Sequence, residues 1–197
     1  MTLLVPGLLL FFAPHLLPTL RPLRGRTVAA LGGSESVYKG VHGVLALSGL
    51  VLMVWGFGEY RAHGLIPVWT PPVWTQHLAL TLMLPAFIVL AAMPPRPSLI
   101  RYRVKHPMLV GIKIWALAHL LANGDLGSIL LFGAFLAFGV YDRISVKRRD
   151  LKVPGNPGGW TRADTTSVVA GAVLWLAFLF GVHHWLIGVP VLPGVGA

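Results

Sequence analysis

The chain of 197 residues contains no cysteine. This absence excludes disulfide bonds, cysteine-ligated zinc, iron–sulfur clusters and covalently attached c-type haem, which requires a C-x-x-C-H motif. Acidic residues are also scarce, with six Asp and Glu against 16 Lys and Arg. Charged residues make up only 11% of the chain, whereas ordinary soluble domains carry about 25%. A soluble domain with so little charge would lack the polar surface that keeps it in solution.

Apolar residues take the place of the missing charge, at 55% of the chain and a mean hydropathy of +0.74. This composition predicts an all-α fold, a polytopic transmembrane helical bundle that forms a single domain over residues 1–197. The net charge of +10 does not indicate nucleic-acid binding. The basic residues form short clusters between apolar runs, as cytoplasmic loops do. Membrane lipid is therefore the predicted partner, whereas the oligomeric state is not predicted.

Six stretches have the apolar length, or nearly the length, of a membrane-crossing helix, which takes about 17–25 residues. They are residues 3–20, 37–57, 74–93, 107–122, 126–141 and 165–189. The first stretch has neither a positive n-region nor a cleavage site, so we expect a retained span rather than a signal peptide. Asp164 directly precedes the last stretch and is predicted to be its N-cap.

The basic residues also predict the orientation. All of them except Arg61 and Lys113 lie in or beside the first, third and fifth loops. Loops rich in Lys and Arg stay on the cytoplasmic side of a membrane. With six spans, both termini are then extracytoplasmic.

Small residues recur at spacings that suit close helix packing. Such groups are Gly40 and Val44 around Gly43, Gly133 with Ala137, and Ser167 with Gly171. We expect these positions to lie at helix–helix contacts.

Titratable side chains inside the apolar stretches are costly in lipid, so a functional role is their first interpretation. The candidates are His15, His42, His77, His106, Lys113, His119 and Asp125. His42, His77 and His106 lie near span ends, where solvation is the favoured explanation and a functional role is the alternative. Lys113 is expected to extend towards the cytoplasmic face. His183 and His184 are expected at the surface.

His15 and His119 differ because apolar residues flank both, in "FFAPHLLP" and "WALAHLLA". Neutral imidazole is the usual ligand of haem iron in membrane cytochromes. The alternative for each buried histidine is a hydrogen bond to a neighbouring carbonyl. Pairs at similar predicted depth, His15 with His42 or His77 with His119, are rival ligand pairs.

Three segments of the chain resemble the NnrU family. They are "FFAPHLLPTLR", "WTPPVWTQHLALTLMLPAF" and "KHPMLVGIKIWALAHLLANGDLGSILLFG", and the resemblance covers about residues 1–150. The family is linked to nitrite and nitric oxide metabolism in denitrifying bacteria, and its plant relatives include 15-cis-zeta-carotene isomerase, a haem b enzyme. The resemblance therefore implies a protein of the bacterial cytoplasmic (inner) membrane.

The resemblance also implies that His15 and His119 are haem b ligands, because they stand where the isomerase carries its proposed ligands. The plant enzyme has a cysteine three residues before the second histidine, whereas this chain has Ala116. A histidine-to-cysteine ligand exchange is therefore impossible here. A shorter segment, "H-P-x-x-x-G" at His106, Pro107 and Gly111, is similar to part of the S-adenosylmethionine site of isoprenylcysteine methyltransferases.

Three functional hypotheses follow. The first is a haem b protein with isomerase or redox activity on a small hydrophobic substrate. The second is a non-enzymatic membrane component of a respiratory or denitrification system. The third is an S-adenosylmethionine-dependent methyltransferase-like protein.

Overall fold

The computed structural model describes residues 1–149 and 154–192. Within these residues the chain is helical, with one isolated β-bridge and no β-strand. The helices are α1 (Leu4–Leu16), α2 (Arg21–Ala30), α3 (Glu35–Ala62), α4 (Val73–Ala91), α5 (Leu99–Val104), α6 (Pro107–Ala122), α7 (Leu126–Arg148), α8 (Arg162–Ala177) and α9 (His183–Ile187). A 3₁₀ turn follows α1, and a π-helical turn joins α8 to α9. The all-α prediction is confirmed.

Four helical stretches in the described residues are long and apolar enough to cross a membrane, namely α3, α4, α7 and the run from α8 to α9. The pair α1–α2 makes a fifth if its two parts, bent by 107°, are one span. Helix α6 is apolar but shorter. These helices support a multi-pass membrane protein. The count of six spans and the extracytoplasmic termini stay predictions.

Internal contacts divide the chain into two compact units. The first unit contains Met1–Thr70 and Asn123–Arg149, and therefore helices α1, α2, α3 and α7. The second contains Pro71–Ala122 and the described part of Asp150–Ala197. A single transmembrane domain over residues 1–197 stays a prediction.

Glycines bring α1 and α3 of the first unit into close contact. Gly7 on α1 faces the backbone of Met53, and Gly49 on α3 faces the backbone of Phe11. Gly56 makes a third contact of this kind. A Cβ atom at any of the three would overlap the opposite backbone. Small residues let membrane helices approach and pack, since lipid provides no hydrophobic force between them.

Only some of the small residues predicted to lie at helix–helix contacts are found there. A Cβ at Gly40, Gly43 or Gly133 would meet open space within the described residues, so the contacts predicted there are wrong. In the second unit, Ser167 is buried and Gly171 faces the backbone of α4. The prediction for that pair is confirmed. The spacing of small residues identifies a candidate face, but only the partner helix decides which face is used.

Prolines interrupt the first predicted span. Pro14 lies in the last turn of α1, and Pro18 lies in the 3₁₀ turn that follows. Proline lacks a backbone N–H and disfavours helical geometry in the residue before it. Helix α1 consequently ends at Leu16, and a new helix begins at Arg21 in a different direction.

The prediction that Asp164 is the N-cap of the last long helix is wrong. Thr161 is the N-cap of α8, and it forms a capping box with Asp164. Asp164 is fully buried, and its carboxylate also accepts hydrogen bonds from Ser98 Oγ at 2.6 Å and from the backbone N–H of Ile100 at 2.8 Å. A buried carboxylate needs such partners to offset its lost hydration. Asp164 thus ties the start of α8 to the start of α5.

A strained turn precedes α6. Lys105 has a φ of 64° and a ψ of −46°. The backbone N–H of His106 donates to the carbonyl of Val104 at 2.7 Å across it. This geometry is the classic γ-turn, which is rare and strained for a residue with a side chain. Pro107 then begins α6, at the predicted boundary.

Candidate functional site: two histidines with oriented rings

His15 is half-buried in the last turn of α1. Its Nδ1 lies 2.6 Å from the carbonyl oxygen of Phe11, and its ring stacks on the Phe11 ring with the centroids 4.4 Å apart. A carbonyl only accepts hydrogen bonds, so Nδ1 carries the proton and Nε2 keeps the lone pair. Histidines that bind metals are usually oriented by a hydrogen bond of this kind. The predicted carbonyl contact is present, and it is compatible with ligation through Nε2.

His119 has the same local arrangement in α6 of the second unit. Its Nδ1 lies 2.9 Å from the carbonyl oxygen of Trp115, and the two ring centroids are 5.1 Å apart. The proton is again assigned to Nδ1. In both places an aromatic residue four positions earlier supplies the carbonyl and packs on the imidazole. The two histidines chosen from the sequence therefore share one geometry, each within its own unit.

His42 lies beside His15 in the first unit. The two ring centroids are 5.0 Å apart, with the planes at 62°. Nδ1 of His42 is buried without a hydrogen-bond partner among the described residues, and so is the hydroxyl of Tyr38. Tyr38 lies one turn before His42 on α3, with the rings 6.1 Å apart. The structure brings together the pair His15 and His42, which their similar predicted depth suggested, and adds Tyr38, which the sequence analysis missed.

An ion pair between Arg24 and Glu35 lies beside the ring of Tyr38. The guanidinium of Arg24 lies 4.9 Å from the centroid of the Tyr38 ring, within cation–π range. It also donates to Glu35 Oε2 at 2.6 Å. Both members of this ion pair are substantially exposed to solvent. The histidine–tyrosine cluster thus contacts the aromatic ring of Phe11 on α1 and the guanidinium of Arg24 on α2.

His183 lies beside His119 in the second unit. The ring centroids are 6.5 Å apart and nearly parallel, at 29°. Nδ1 of His183 lies 2.7 Å from the carbonyl oxygen of Val189. His183 and His184 are half-buried, so the structure leaves both partly accessible rather than fully exposed at the predicted surface. His183 is distant from His119 in the sequence, so no local pattern indicated that the two rings meet.

The other sequence candidates have simpler settings. His77 is exposed on α4, and Lys113 is half-buried on α6. His106 precedes the helix start already described. Asp125 is the N-cap of α7 and accepts a hydrogen bond from the backbone N–H of Ser128 at 2.9 Å. The titratable groups of the described residues form no cluster of three or more metal ligands.

These features define a class of protein: a helical, multi-pass membrane protein that carries half-buried histidines within its apolar helices. The profile of the family described as NnrU protein matches residues 3–191. The match covers nearly the whole chain and extends beyond about residues 1–150, the part that carries the three resembling segments. The chain belongs to the NnrU family. Searches among curated proteins and among solved structures find no match.

Proposed function

We propose that this NnrU-family protein binds haem b and that His15 and His119 would hold its iron. We further propose that it acts as an isomerase or redox enzyme on a small hydrophobic substrate in the bacterial cytoplasmic membrane, in a process linked to nitrite or nitric oxide metabolism. The observation that carries the proposal is the shared orientation of the two imidazoles, each with Nδ1 directed at the carbonyl one turn earlier.

The donor set fits haem. Axial haem ligation requires a neutral imidazole with a lone pair on one nitrogen. The carbonyls of Phe11 and Trp115 hold the proton on Nδ1 of each ring, and the aromatic side chains restrict ring rotation. Bound haem b would supply a redox-active iron. The contribution of the chain is to hold both ligands in the tautomer that iron requires.

Ala116 limits the mechanism. It is fully buried in α6, three residues before His119. It stands where the plant isomerase has a cysteine, and this chain has none. An activity that depends on replacing histidine by a thiolate is therefore not available. The proposed activity is therefore either redox chemistry or an isomerisation that keeps histidine ligation.

His42 and His77 remain the rival ligands. Two imidazoles on opposite sides of one iron need ring centroids roughly 6 Å apart or more, because each metal–nitrogen bond is about 2 Å long. The rings of His15 and His42 are 5.0 Å apart, so this pair would have to separate before it could hold an iron atom. The observed spacing therefore opposes His15 and His42 as the two ligands of one iron.

The two alternative functions receive no specific support from the structure. In the methyltransferase-like segment, Pro107 begins α6 and Gly111 packs against the side chain of Leu90. Both residues thus have roles in packing. Purified protein without any cofactor would favour the other alternative, a non-enzymatic membrane component.

The visible spectrum of the protein tests the proposal. Protein purified in mild detergent from haem-replete cells should show a Soret band and, on reduction, the split visible bands of six-coordinate haem b. Acid-acetone should extract the haem completely, because no cysteine can attach it. A folded but colourless protein would contradict the proposal. Binding of labelled S-adenosylmethionine by that protein would instead favour the methyltransferase hypothesis.

A further inference from the structure

A cavity of about 370 Å³ lies in the first unit, beside the break between α1 and α2 and the end of α7. Three arginines line it, Arg21 from the start of α2 and Arg148 and Arg149 from the end of α7. None of the haem-ligand candidates lines this cavity. Its chemistry is that of a site for an anion.

Asp142 offsets part of this positive charge. One guanidinium nitrogen of Arg149 donates to Asp142 Oδ1 at 2.7 Å, and another donates to the carbonyl of Pro18 at 3.2 Å. Nε of Arg149 is buried without a partner in the described part of the chain. Arg21 donates to the backbone carbonyl of Arg149 at 3.2 Å and has no carboxylate partner among the described residues. Hydrogen bonds thus hold Arg149 in place, while Arg21 and Arg148 supply positive charge that no carboxylate of residues 1–149 and 154–192 pairs with.

Hydroxyl groups supplement the arginines. The hydroxyl oxygen of Thr19 lies 3.3 Å from the phenolic oxygen of Tyr141, and both residues line the cavity together with Ser145. Thr19 donates its single proton to the carbonyl of Leu16 at 2.6 Å, so the Tyr141 hydroxyl is the donor in the contact with Thr19 and reaches a ligand oxygen by giving up that contact. The cavity therefore combines fixed positive charge with a neutral donor.

The position of the cavity along α7 identifies the source of the anion. The apolar part of α7 ends at Val140, where Tyr141, Asp142 and Arg143 begin its charged end. Leu20 and Ile144, both exposed and apolar, lie in the cavity wall. A cationic cavity with an apolar edge at this point of a membrane helix matches the depth of lipid headgroups, where basic pockets bind anionic lipids.

We propose that this cavity binds the phosphate of an anionic phospholipid headgroup. Arginine suits this ligand because its planar guanidinium forms two parallel hydrogen bonds to phosphate oxygens. Arg21 and Arg148 contact the phosphate, and Tyr141 donates to a remaining oxygen. The exposed apolar residues at the edge lie along the first part of the acyl chains.

The test measures lipid binding by the full chain in mild detergent. Native mass spectrometry gives the affinity for phosphatidylglycerol, with phosphatidylcholine of the same acyl chains as the neutral comparison. The double variant Arg21→Gln/Arg148→Gln removes the two cavity arginines that form no ion pair within the described part of the chain. The matched control, Arg26→Gln/Lys147→Gln, removes the same charge from exposed positions on the same two helices, outside the cavity. Arg148→Gln alone provides a milder second variant.

We expect the cavity variant to bind phosphatidylglycerol at least about tenfold more weakly than wild type, because each basic residue near anionic lipid contributes about 1 kcal/mol. The control should change less than twofold, and phosphatidylcholine binding should not change. Equal losses in both double variants would overturn the proposal, since general charge attraction would then explain the binding. Inorganic phosphate at millimolar concentration should not displace the lipid, and complete displacement would overturn the lipid as the ligand.

Discussion

The imidazole of His15 lies against that of His42, with the ring centroids 5.0 Å apart. Within this pair, Nδ1 of His15 donates to the carbonyl of Phe11, whereas Nδ1 of His42 is buried without a partner in the described residues. An unsatisfied buried polar atom costs about 1–3 kcal/mol. The two rings are therefore not equivalent, and His15 is the one that the helix has oriented.

This difference leads to the first prediction, on the haem ligands. His15→Ala and His119→Ala should each abolish or shift the Soret band, because each change removes an axial ligand. His42→Ala and His77→Ala should leave the band near that of wild type. Haem content is measured by absorption of the reduced protein after purification in mild detergent.

The four histidine variants also serve as controls for one another. Each should elute from gel filtration like wild type, so that loss of haem is not loss of fold. His42→Ala or His77→Ala could lose haem while His15→Ala or His119→Ala retains it. That result would support haem binding by the protein but show that the ligand assignment is wrong.

The second prediction concerns the contact of α1 with α3. Gly49→Ala should lower the free energy of unfolding by about 1–3 kcal/mol, since the added methyl overlaps the backbone of Phe11 and the helices must separate. Gly43→Ala, on the same helix but with open space, should be neutral or slightly stabilising. Denaturation in mixed detergent micelles measures both. Similar losses in the two variants would contradict this packing.

The sequence predicted the apolar helices well but not where they end or what they contact. Helix α6 has the predicted bounds, whereas α7 continues to Arg148, beyond the predicted residue 141. Hydropathy reports the part of a helix that suits lipid, and backbone hydrogen bonding continues past it into charged residues. The position of the His15 lone pair also has a local cause, because the carbonyl of Phe11, four positions earlier, holds the proton on Nδ1. By contrast, the bond between Ser98 and Asp164 joins distant parts of the chain, so no local pattern predicts it.

That bond carries the third prediction. Asp164→Ala should destabilise the protein by about 3 kcal/mol, because it leaves the Ser98 hydroxyl and the backbone N–H of Ile100 buried without their acceptor. Glu35→Ala removes a carboxylate from an exposed ion pair and should cost less than about 1 kcal/mol. Melting temperatures in one detergent compare the two variants. An equal effect would mean that the Asp164 network contributes no more than a surface pair.

The fourth prediction concerns the γ-turn before α6. Lys105→Gly should stabilise the protein by up to about 1 kcal/mol, because glycine adopts a positive φ without steric strain. Arg103→Gly, an exposed position in the neighbouring α5, should instead be destabilising, since glycine is a poor helix former. Thermal unfolding in detergent measures both changes. A destabilised Lys105→Gly protein would show that the lysine side chain contributes more than the turn costs.

The fifth prediction is the topology. Nearly all basic residues lie in or beside the first, third and fifth predicted loops, and such loops remain cytoplasmic. Reporter fusions after Ala197 and within residues 61–72 should therefore be extracytoplasmic, and fusions near Arg148 should be cytoplasmic. The fusion near Arg148 also locates the proposed lipid cavity at the cytoplasmic leaflet. A cytoplasmic reporter after Ala197, with the other fusions as predicted, would exclude six spans and favour five, with the run from α8 to α9 not crossing the membrane.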